Sequence, residues 1–397
     1  MKGLPPGRRI VAADIGAEPY RAFFPAGIVA GLVGVSLWPL YFAGLLGAYP
    51  GVAHARIMAF GLFGGFIFGF LGTAMPGMLS SRRLTSRQVV PLALLHLAMV
   101  AVYSTGAIWL GDILFALLLL AFTALLVARF RERKGMLPPG FVLVGLAALC
   151  LAVGVALALL GHVRELGRFW SVLQRLLTYQ GFVLLPILGI GPFILPGLLR
   201  GPGGHSAPVH LGPGPSWRRT ALVAAAAGAL IVASFVIEAA GWPRSGHLLR
   251  FGTALGYALA MIPLHRDLRR SSTPGLAARV AFLSLLAGLL AVGLWPAQRT
   301  GLLHLTLIGG FAVITLVVAM RVVYIHSGQQ ARLAERNRWL ILAVGLMLFG
   351  MATRISGDLW PAVQASHFGY GALAWMAGVL VWSGYVLPKV LVSGRAG

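Results

Sequence analysis

Histidines are the side chains of this 397-residue sequence that are best suited to chemistry, since a neutral imidazole can ligate iron or copper. Four of the ten histidines stand at a common depth, each at the start of an apolar run: His54, His247, His304 and His367. A metal could be held there without placing a charge at the centre of a bilayer. Interfacial histidines also form hydrogen bonds with lipid headgroups and helix ends, so the pattern leaves both uses open.

One face of the second apolar run combines metal-ligand side chains with glycines. At helical spacing, His54 and Met58 share this face with Gly61 and Gly65, and the glycine repeat continues at Gly69 and Gly72. Histidine and methionine both ligate haem iron or copper, and small residues four apart let a second helix or a flat porphyrin approach closely. We predict a cofactor site at His54, Met58, Gly61 and Gly65, with plain helix packing as the alternative use of the glycines.

Two apolar runs carry a histidine at each end. His304 and His326 are 22 residues apart, which is about 33 Å along a helix, and His247 and His265 repeat the arrangement. Two metal centres, one near each membrane surface, would fit these pairs, and His96 could join the inner one. Chance placement of end histidines is the competing explanation.

The sixth apolar run suggests a different function. Its segment LLPILGIGPFILPGL contains Pro186, Pro192 and Pro196, each of which removes a backbone donor and favours a bend. Carbonyls freed at such a bend would suit a transport site, so a secondary transporter remains an alternative. Glu238 is the acid best placed within a span, and a proton-coupled transporter would usually need more.

Composition shows which solvent surrounds these residues. Hydrophobic residues make up 58% of the chain, charged residues 10%, and the mean hydropathy is +0.87, which together predict a membrane protein. The net charge of +23 arises from 32 basic and nine acidic residues. Because the basic residues form short clusters between apolar runs, they fit helix orientation and contact with anionic lipid headgroups, and nucleic acid is not expected as a partner. Cys150 is the only cysteine, which excludes an intrachain disulfide.

The chain divides into twelve apolar runs of a length that can cross a bilayer, so we predict an all-α, polytopic transmembrane helix bundle. The predicted runs are 23–46, 54–79, 89–110, 113–130, 140–160, 176–199, 219–240, 247–265, 277–295, 301–325, 338–356 and 367–387. The division between the third and fourth runs is marked only by Gly111 and Asp112.

Loop charge supports the count of twelve. When successive loops are assigned to alternate sides of the membrane, 23 Lys and Arg residues fall on one side and eight on the other. Arg321 lies near a helix end and is not counted. Cytoplasmic loops are enriched in Lys and Arg, which predicts that both termini are cytoplasmic.

The same division predicts how the chain is organised. Residues 1–22 are interpreted as a cytoplasmic lead-in rather than a cleaved signal peptide, because the apolar run that follows is too long. We expect two six-helix halves, 23–199 and 219–390, joined by a Gly/Pro-rich cytoplasmic linker at 200–218 and followed by a tail at 391–397.

Two stretches resemble the NnrS family of twelve-span bacterial membrane proteins. One is YRAF at 20–23 followed by HARIMAFGLFGGFIFGFLGTAMP at 54–76, and the other is HLTLIGGFAVITLVVAMRVVYIHSGQ at 304–329. The family's acid before the methionine is Ile57 here, a second family histidine is Arg56, and the residues around the late histidine are Ile325 and Ser327. The positions that match the family pattern are His54, Met58, Gly69, Phe70, Leu71, Thr73, Ala74, Pro76, His304, Gly309, Met320, Arg321, His326 and Gly328.

This resemblance implies a haem- and copper-containing protein of the bacterial inner membrane that acts in nitric oxide metabolism and nitrosative stress. We therefore expect His54 and His304 to be the main metal ligands, with Met58 as a soft ligand and Arg321 as a partner for a haem propionate. His247 and His367 are further candidate metal ligands, and His326 a further cofactor-binding residue. Catalytic turnover is left undecided against a sensor or assembly factor that holds haem, and no residue identifies an electron donor.

Overall fold

The computed structural model describes residues 8–9, 12–199, 214–265 and 271–393. It confirms the predicted all-α bundle and its span order. The described part of the chain forms twelve long helices: α1 Tyr20–Phe42, α2 Gly51–Met78, α3 Ser86–Ser104, α4 Ile108–Arg131, α5 Phe141–Val163, α6 Arg168–Ile194, α7 Pro215–Ala239, α8 Pro243–Met261, α9 Thr273–Leu294, α10 Pro296–His326, α11 Arg338–Leu359 and α12 Pro361–Leu391.

Eleven of these helices are long and apolar enough to cross a membrane, counted over the described residues. The exception is α8, whose 19 residues are sufficient in length but include Arg244, His247 and Arg250. His247 and Arg250 are fully buried, so their polar groups face protein rather than lipid. A low hydropathy is therefore compatible with a helix at this position in the bundle.

Both described ends of the chain lie together. Strand β1, Arg8–Arg9, pairs antiparallel with strand β2, Val392–Ser393. An even number of helices between the two strands brings the chain back to the side on which it started. We call this side the terminal face and the other side the opposite face. The predicted linker falls mostly outside the described residues, at 200–213, as does the tail from residue 394.

Polar caps begin several helices on the terminal face. At α3 the side chain of Gln88 accepts a hydrogen bond from the backbone N–H of Thr85 at 3.1 Å, as in a capping box. At α11 the Asn337 side chain accepts from the N–H of Leu340 at 3.0 Å, and at α9 Ser272 accepts from Gly275 at 3.2 Å. These side chains satisfy backbone donors that the first turn of a helix leaves free.

The turn between α3 and α4 differs from the prediction. It lies at Thr105–Ala107, where Gly106 adopts φ +85°, and α4 begins at Ile108 rather than at residue 113. Asp112, predicted to mark the turn, is buried in the first turns of α4 and is 1% exposed. The prediction was wrong because three polar side chains compensate this carboxylate inside the protein, as shown below.

The helices surround an interior formed by α2, α6 and α10. The most apolar stretch of α2 is 83% buried and that of α6 is 72% buried, whereas the corresponding values for α4 and α11 are 28%. The last helix, α12, packs against α1 and closes the bundle. Helices α2 and α6 are therefore largely shielded from lipid. Helix α10, 56% buried by the same measure, contacts both of them, so the three can form an internal site.

Candidate functional site

Each of the three central helices contains a π-helical segment. The segments are Ile57–Phe63 in α2, Leu177–Gly181 in α6 and Leu305–Ala312 in α10. A π-helical segment widens the helix by one residue per turn, interrupts the regular hydrogen-bond pattern and is often found at functional sites. The three helices are four apart in the chain order, so a π-helical segment recurs at a regular interval.

All three π-helical segments border one cavity of about 440 Å³ in the half of the bundle near the opposite face. Helices α1, α11 and α12 complete its wall. The volume lies within the range of about 300–1,000 Å³ that is common for small-molecule and cofactor sites. The residues that line it are Val35, Trp38, Tyr49, Gly51, His54, Ala55, Met58, Ala59, Phe63, Arg175, Tyr179, Gln180, Arg299, Thr300, Leu303, His304, Leu307, Ile308, Ala312, Gly350, Arg354, Phe368, Gly371, Ala372 and Trp375.

His54 and His304 line this cavity from α2 and α10, and each ring has one nitrogen fixed by a carbonyl. Nδ1 of His54 lies 2.9 Å from the carbonyl oxygen of Gly34, and Nδ1 of His304 lies 2.8 Å from that of Thr300. Because a carbonyl oxygen only accepts, Nδ1 must carry the proton in both rings. The lone pair of each neutral ring is then on Nε2, which is the state of a histidine prepared to ligate a metal.

Met58 lies one turn beyond His54 on the same wall, and large aromatic side chains surround both. Trp38 packs edge-on against the His54 ring at a centroid distance of 5.7 Å. Tyr179 and Trp375 line the cavity from α6 and α12. A thioether and a neutral imidazole on one apolar wall form a donor set that suits haem iron or copper.

Three arginines add positive charge to the cavity wall: Arg175, Arg299 and Arg354. Arg354 forms an ion pair with Asp358 at 2.9 Å, and its guanidinium carbon lies 3.6 Å from the ring centroid of Phe368. Arg299 forms an ion pair with Glu238 at 3.1 Å. Three guanidinium groups against two carboxylates leave an excess of positive charge, which favours an anionic group in the ligand.

A buried polar cluster around Asp112 supports the cavity from one side. The Asp112 carboxylate forms an ion pair with Arg56 at 3.0 Å, accepts from the Tyr103 hydroxyl at 2.6 Å and lies 3.0 Å from Nε2 of His162. The guanidinium of Arg56 also lies 5.6 Å from the ring centroid of Tyr179, which lines the cavity. The three polar partners of Asp112 explain why a carboxylate and a guanidinium are stable inside the bundle.

A second polar cluster, around Glu238, supports the cavity from the other side. Its carboxylate contacts Arg250 at 2.8 Å, Arg299 at 3.1 Å and His247 at 3.3 Å. Arg250 in turn donates a hydrogen bond to the side-chain oxygen of Gln180 at 2.6 Å. Since Gln180 and Arg299 both line the cavity, this cluster fixes two of its polar wall residues.

A family model described as NnrS protein matches residues 15–395, which is nearly the whole chain. The chain belongs to the NnrS family. No curated protein matches it in a sequence comparison. The family assignment from the two sequence stretches is therefore confirmed, and it now extends over all twelve helices.

The glycines predicted as part of the NnrS cofactor site lie instead against α1. A Cβ atom on Gly61 would come within 2.7 Å of the Ala30 methyl group, and one on Gly65 within 2.9 Å of the Gly27 Cα atom. Neither glycine borders the cavity. The contacts correspond to the alternative that the sequence left open, close packing of two helix backbones.

Two further predicted residues lie toward the terminal face. Arg321 is 17 residues beyond His304 on α10, roughly 25 Å along the helix, and does not border the cavity. His326, at the end of α10, contacts the Glu18 carboxylate through Nδ1 at 2.9 Å. A role for either residue at the His54–His304 cavity is not supported by this placement, because the ligand would have to span most of the membrane.

The remaining candidate metal ligands have protein partners of their own. His247 is fully buried against Glu238 in α7. His367 lies at the start of α12 with Nδ1 at 2.8 Å from the Ser356 hydroxyl, beside the cavity residue Phe368 but not on the wall itself. No three His, Cys, Asp or Glu side chains approach closely enough to hold a metal ion in the parts of the chain described here. A metal bound by His54 or His304 would therefore need other donors, such as the Met58 sulphur.

The proline-containing segment of α6, predicted to mark a transport site, borders a small apolar cavity instead of polar groups. Helix α6 stops at Ile194, and a separate turn follows at Pro196–Leu199. The cavity beside Pro186 is small and is lined by apolar side chains together with Thr315 of α10. A charged or strongly polar solute would lose its hydration there without gaining partners.

Sequence reasoning missed the three arginines and the two α6 residues, Tyr179 and Gln180, that complete the site. Arg175, Arg299 and Arg354 were counted among the eight basic residues on the side expected to be poor in charge. The available signal was that these arginines break the loop-charge rule. A positive charge on the side that is poor in Lys and Arg needs a local partner, which indicates a polar site nearby. The π-helical segments of α2 and α10 left no comparable signal, because most of their residues are ordinary apolar and small ones.

Proposed function

We propose that this NnrS family member binds haem in the cavity between α2, α6 and α10, with His54 and His304 as the candidate iron ligands. The observation that carries the proposal is the state of these two rings. Each ring donates its Nδ1 hydrogen to a backbone carbonyl, so its Nε2 lone pair is available to a metal. Both rings line the same cavity.

The other wall residues fit the same group. A porphyrin offers two large apolar faces and two propionates, and the cavity offers aromatic surfaces at Trp38 and Trp375 together with three guanidinium groups. Arg175, Arg299 and Arg354 take over the role predicted for Arg321, that of pairing with propionates. When bound, haem would supply a redox-active iron that binds small diatomic ligands.

Copper is the second metal in the proposal, and it would occupy His54 and Met58 only in molecules in which His54 does not hold haem iron. Met58 provides a thioether four residues from His54, and a soft sulphur beside an imidazole favours copper over hard cations. The protein's own contribution to either metal is to hold neutral imidazoles in fixed orientations and to exclude water with aromatic walls.

A role in nitric oxide metabolism under nitrosative stress, and a place in the bacterial inner membrane, are proposed from the family resemblance. Two coarser facts support them, the many apolar helices of the structure and the match of the chain to the NnrS family model. Basic side chains of the terminal face, such as Arg82 and Arg133, would contact anionic lipid headgroups on the cytoplasmic side.

The test is the visible spectrum of the purified full chain beside its His54→Ala and His304→Ala variants. We expect Soret absorbance in the parent protein and its loss or displacement in both variants. His367→Ala is the matched control, because this ring has a similar depth and exposure but lies off the cavity wall. A parent protein without Soret absorbance or bound iron would refute haem binding, and an equal loss in the control would refute the assignment of the ligands.

Copper requires its own measurement. We expect the purified chain to contain copper by elemental analysis, and Met58→Leu to lose it while the haem spectrum changes little. Copper contents that are the same in both proteins would remove Met58 from the site.

A further inference from the structure

A second cavity lies between the same three central helices, nearer the terminal face. It has a volume of about 80 Å³ and is bordered by Phe66 and Phe70 of α2, Pro186 and Ile190 of α6, and Thr315 and Val318 of α10. Within the described parts of the chain, no charged side chain borders it. A cavity of this size and lining stays dry in other proteins and takes up apolar guests such as xenon.

A smaller void lies between this apolar cavity and the His54–His304 cavity. Its volume of about 10 Å³ corresponds to about one water-sized sphere. It shares Phe66 and Thr315 with the apolar cavity, and it shares Phe63, Ala312 and Trp375 with the histidine cavity. The three spaces therefore follow one another along the interior of the bundle, with common walls at each junction.

The apolar lining and the small middle void determine which molecules could move through the three spaces. Ions and hydrated solutes are excluded, because apolar walls cannot replace their hydration. Long or bulky molecules are excluded by a middle void of about one water-sized sphere. Uncharged diatomic gases meet both conditions, and they dissolve readily in the hydrocarbon around the helices.

The geometry points to a passage by which a small uncharged gas molecule moves from the apolar interior of the membrane to the His54–His304 cavity. This inference rests on the proposed function for its destination. The arginines lie on the wall of the histidine cavity and none borders the two apolar spaces, so a gas ligand and an anionic group would approach from different directions. Pro186, predicted to mark a transport site, becomes part of the passage wall.

Xenon tests the passage without any dependence on haem. Crystals of the full chain under xenon pressure should show a xenon atom between Phe70 and Val318, and Val318→Phe should abolish it. Val236→Phe is the matched control, because Val236 is 43% exposed on the outside of α7. Absence of xenon from the parent protein, or its retention in Val318→Phe, would overturn the inference.

Ligand kinetics test the connection. After photolysis of the carbon monoxide complex of the haem-loaded protein, carbon monoxide should rebind from solution about tenfold more slowly in Thr315→Phe, equivalent to about 1.4 kcal/mol in the barrier. The parent Soret spectrum should be kept, and Val236→Phe should rebind at the parent rate. A rate unchanged by Thr315→Phe would show that the gas takes another route.

The xenon and carbon monoxide experiments distinguish the gas passage from the proposed haem binding. A chain that takes up xenon in the apolar cavity but contains no haem would refute the proposed function and leave the gas-binding site standing. A haem protein whose apolar cavity stays empty, or whose rebinding rate is unaffected, would refute the passage and leave haem binding standing.

Discussion

Nδ1 of His326 lies 2.9 Å from a carboxylate oxygen of Glu18, which joins two residues 308 positions apart in the chain. The same carboxylate contacts Arg21 at 2.6 Å, and Arg21 donates hydrogen bonds to the backbone carbonyls of Val390 and Val392. This cluster connects the start of α1 with the ends of α10 and α12. Its position gives Arg21 and His326, both part of the family-like sequence stretches, a structural role on the terminal face.

The Glu18 contact predicts a pH dependence of stability. Burial alone would raise the pKa of Glu18, but the hydrogen bond with His326 and the charges of His326 and Arg21 outweigh it and lower the pKa from 4.5 to about 2. The ionised carboxylate therefore stabilises the fold above about pH 4.5, and this contribution is lost as the pH falls toward 2. Its upper limit is roughly 3 kcal/mol.

Glu18→Gln should lower the thermal unfolding midpoint at pH 7, and the difference from the parent protein should shrink steadily between pH 4.5 and pH 3. Thermal unfolding in detergent at several pH values measures both effects. A difference that is independent of pH would mean that the stabilisation does not depend on the charge of Glu18.

Asp112→Asn should destabilise the protein by about 3 kcal/mol or more, because it leaves the buried guanidinium of Arg56 without its counter-ion. Glu132→Gln is the comparison, since Glu132 pairs with Arg82, whose side chain is 83% exposed, and with Arg129, which keeps a hydrogen bond to Gln88 when the charge is removed. The unfolding midpoints of both variants provide the measurement. Similar small shifts in the two would show that the Asp112 cluster does not support the bundle.

Gly65→Ala should destabilise the protein by about 1–3 kcal/mol, because its new methyl group would meet the α1 backbone at Gly27 and Phe23. Gly145→Ala is the control, since Gly145 lies inside α5 with no neighbouring atom within 4 Å, and alanine there should be neutral or slightly stabilising. Both variants should keep the haem spectrum of the parent protein. A spectrum lost in Gly65→Ala with unchanged stability would return this glycine to the cofactor site.

Arg175→Gln should weaken haem retention about tenfold, as expected for losing a charge-assisted hydrogen bond of about 1.5 kcal/mol. The Soret band should keep its position, because Arg175 lies on the cavity wall but is not one of the candidate iron ligands. Transfer of haem to excess apomyoglobin measures retention. Arg168→Gln, an exposed arginine of the same helix, should behave like the parent protein, and equal effects of the two variants would contradict a specific contact.

The sequence was sufficient for the bundle because lipid imposes one strong rule, that long apolar runs form helices across it. The rule failed where polar residues compensate each other inside the protein, as at Asp112, whose partners come from α2, α3 and α5. The sequence also singled out His54, Met58 and His304, which share one cavity wall. It could not show that Gly61 and Gly65 turn toward α1, since a helical stripe records spacing and not the neighbour that covers it.

The arginines illustrate a second limit. Of the eight basic residues assigned to the side poor in charge, Arg56 and Arg250 belong to the buried polar clusters, and Arg175, Arg299 and Arg354 border the cavity. As exceptions to the loop-charge rule these arginines look unrelated, although all five lie in or beside the cavity. Their shared surroundings become visible only when helices far apart in the chain are brought together.

Helix α12 contributes Phe368, Gly371, Ala372 and Trp375 to the cavity wall, and it is also the helix that packs against α1. While the chain is being inserted into the bilayer, this side of the cavity stays open until the twelfth helix leaves the ribosome and meets the first. The cavity wall is therefore complete only after the last helix has been inserted, and a chain that stopped before α12 would lack these four wall residues.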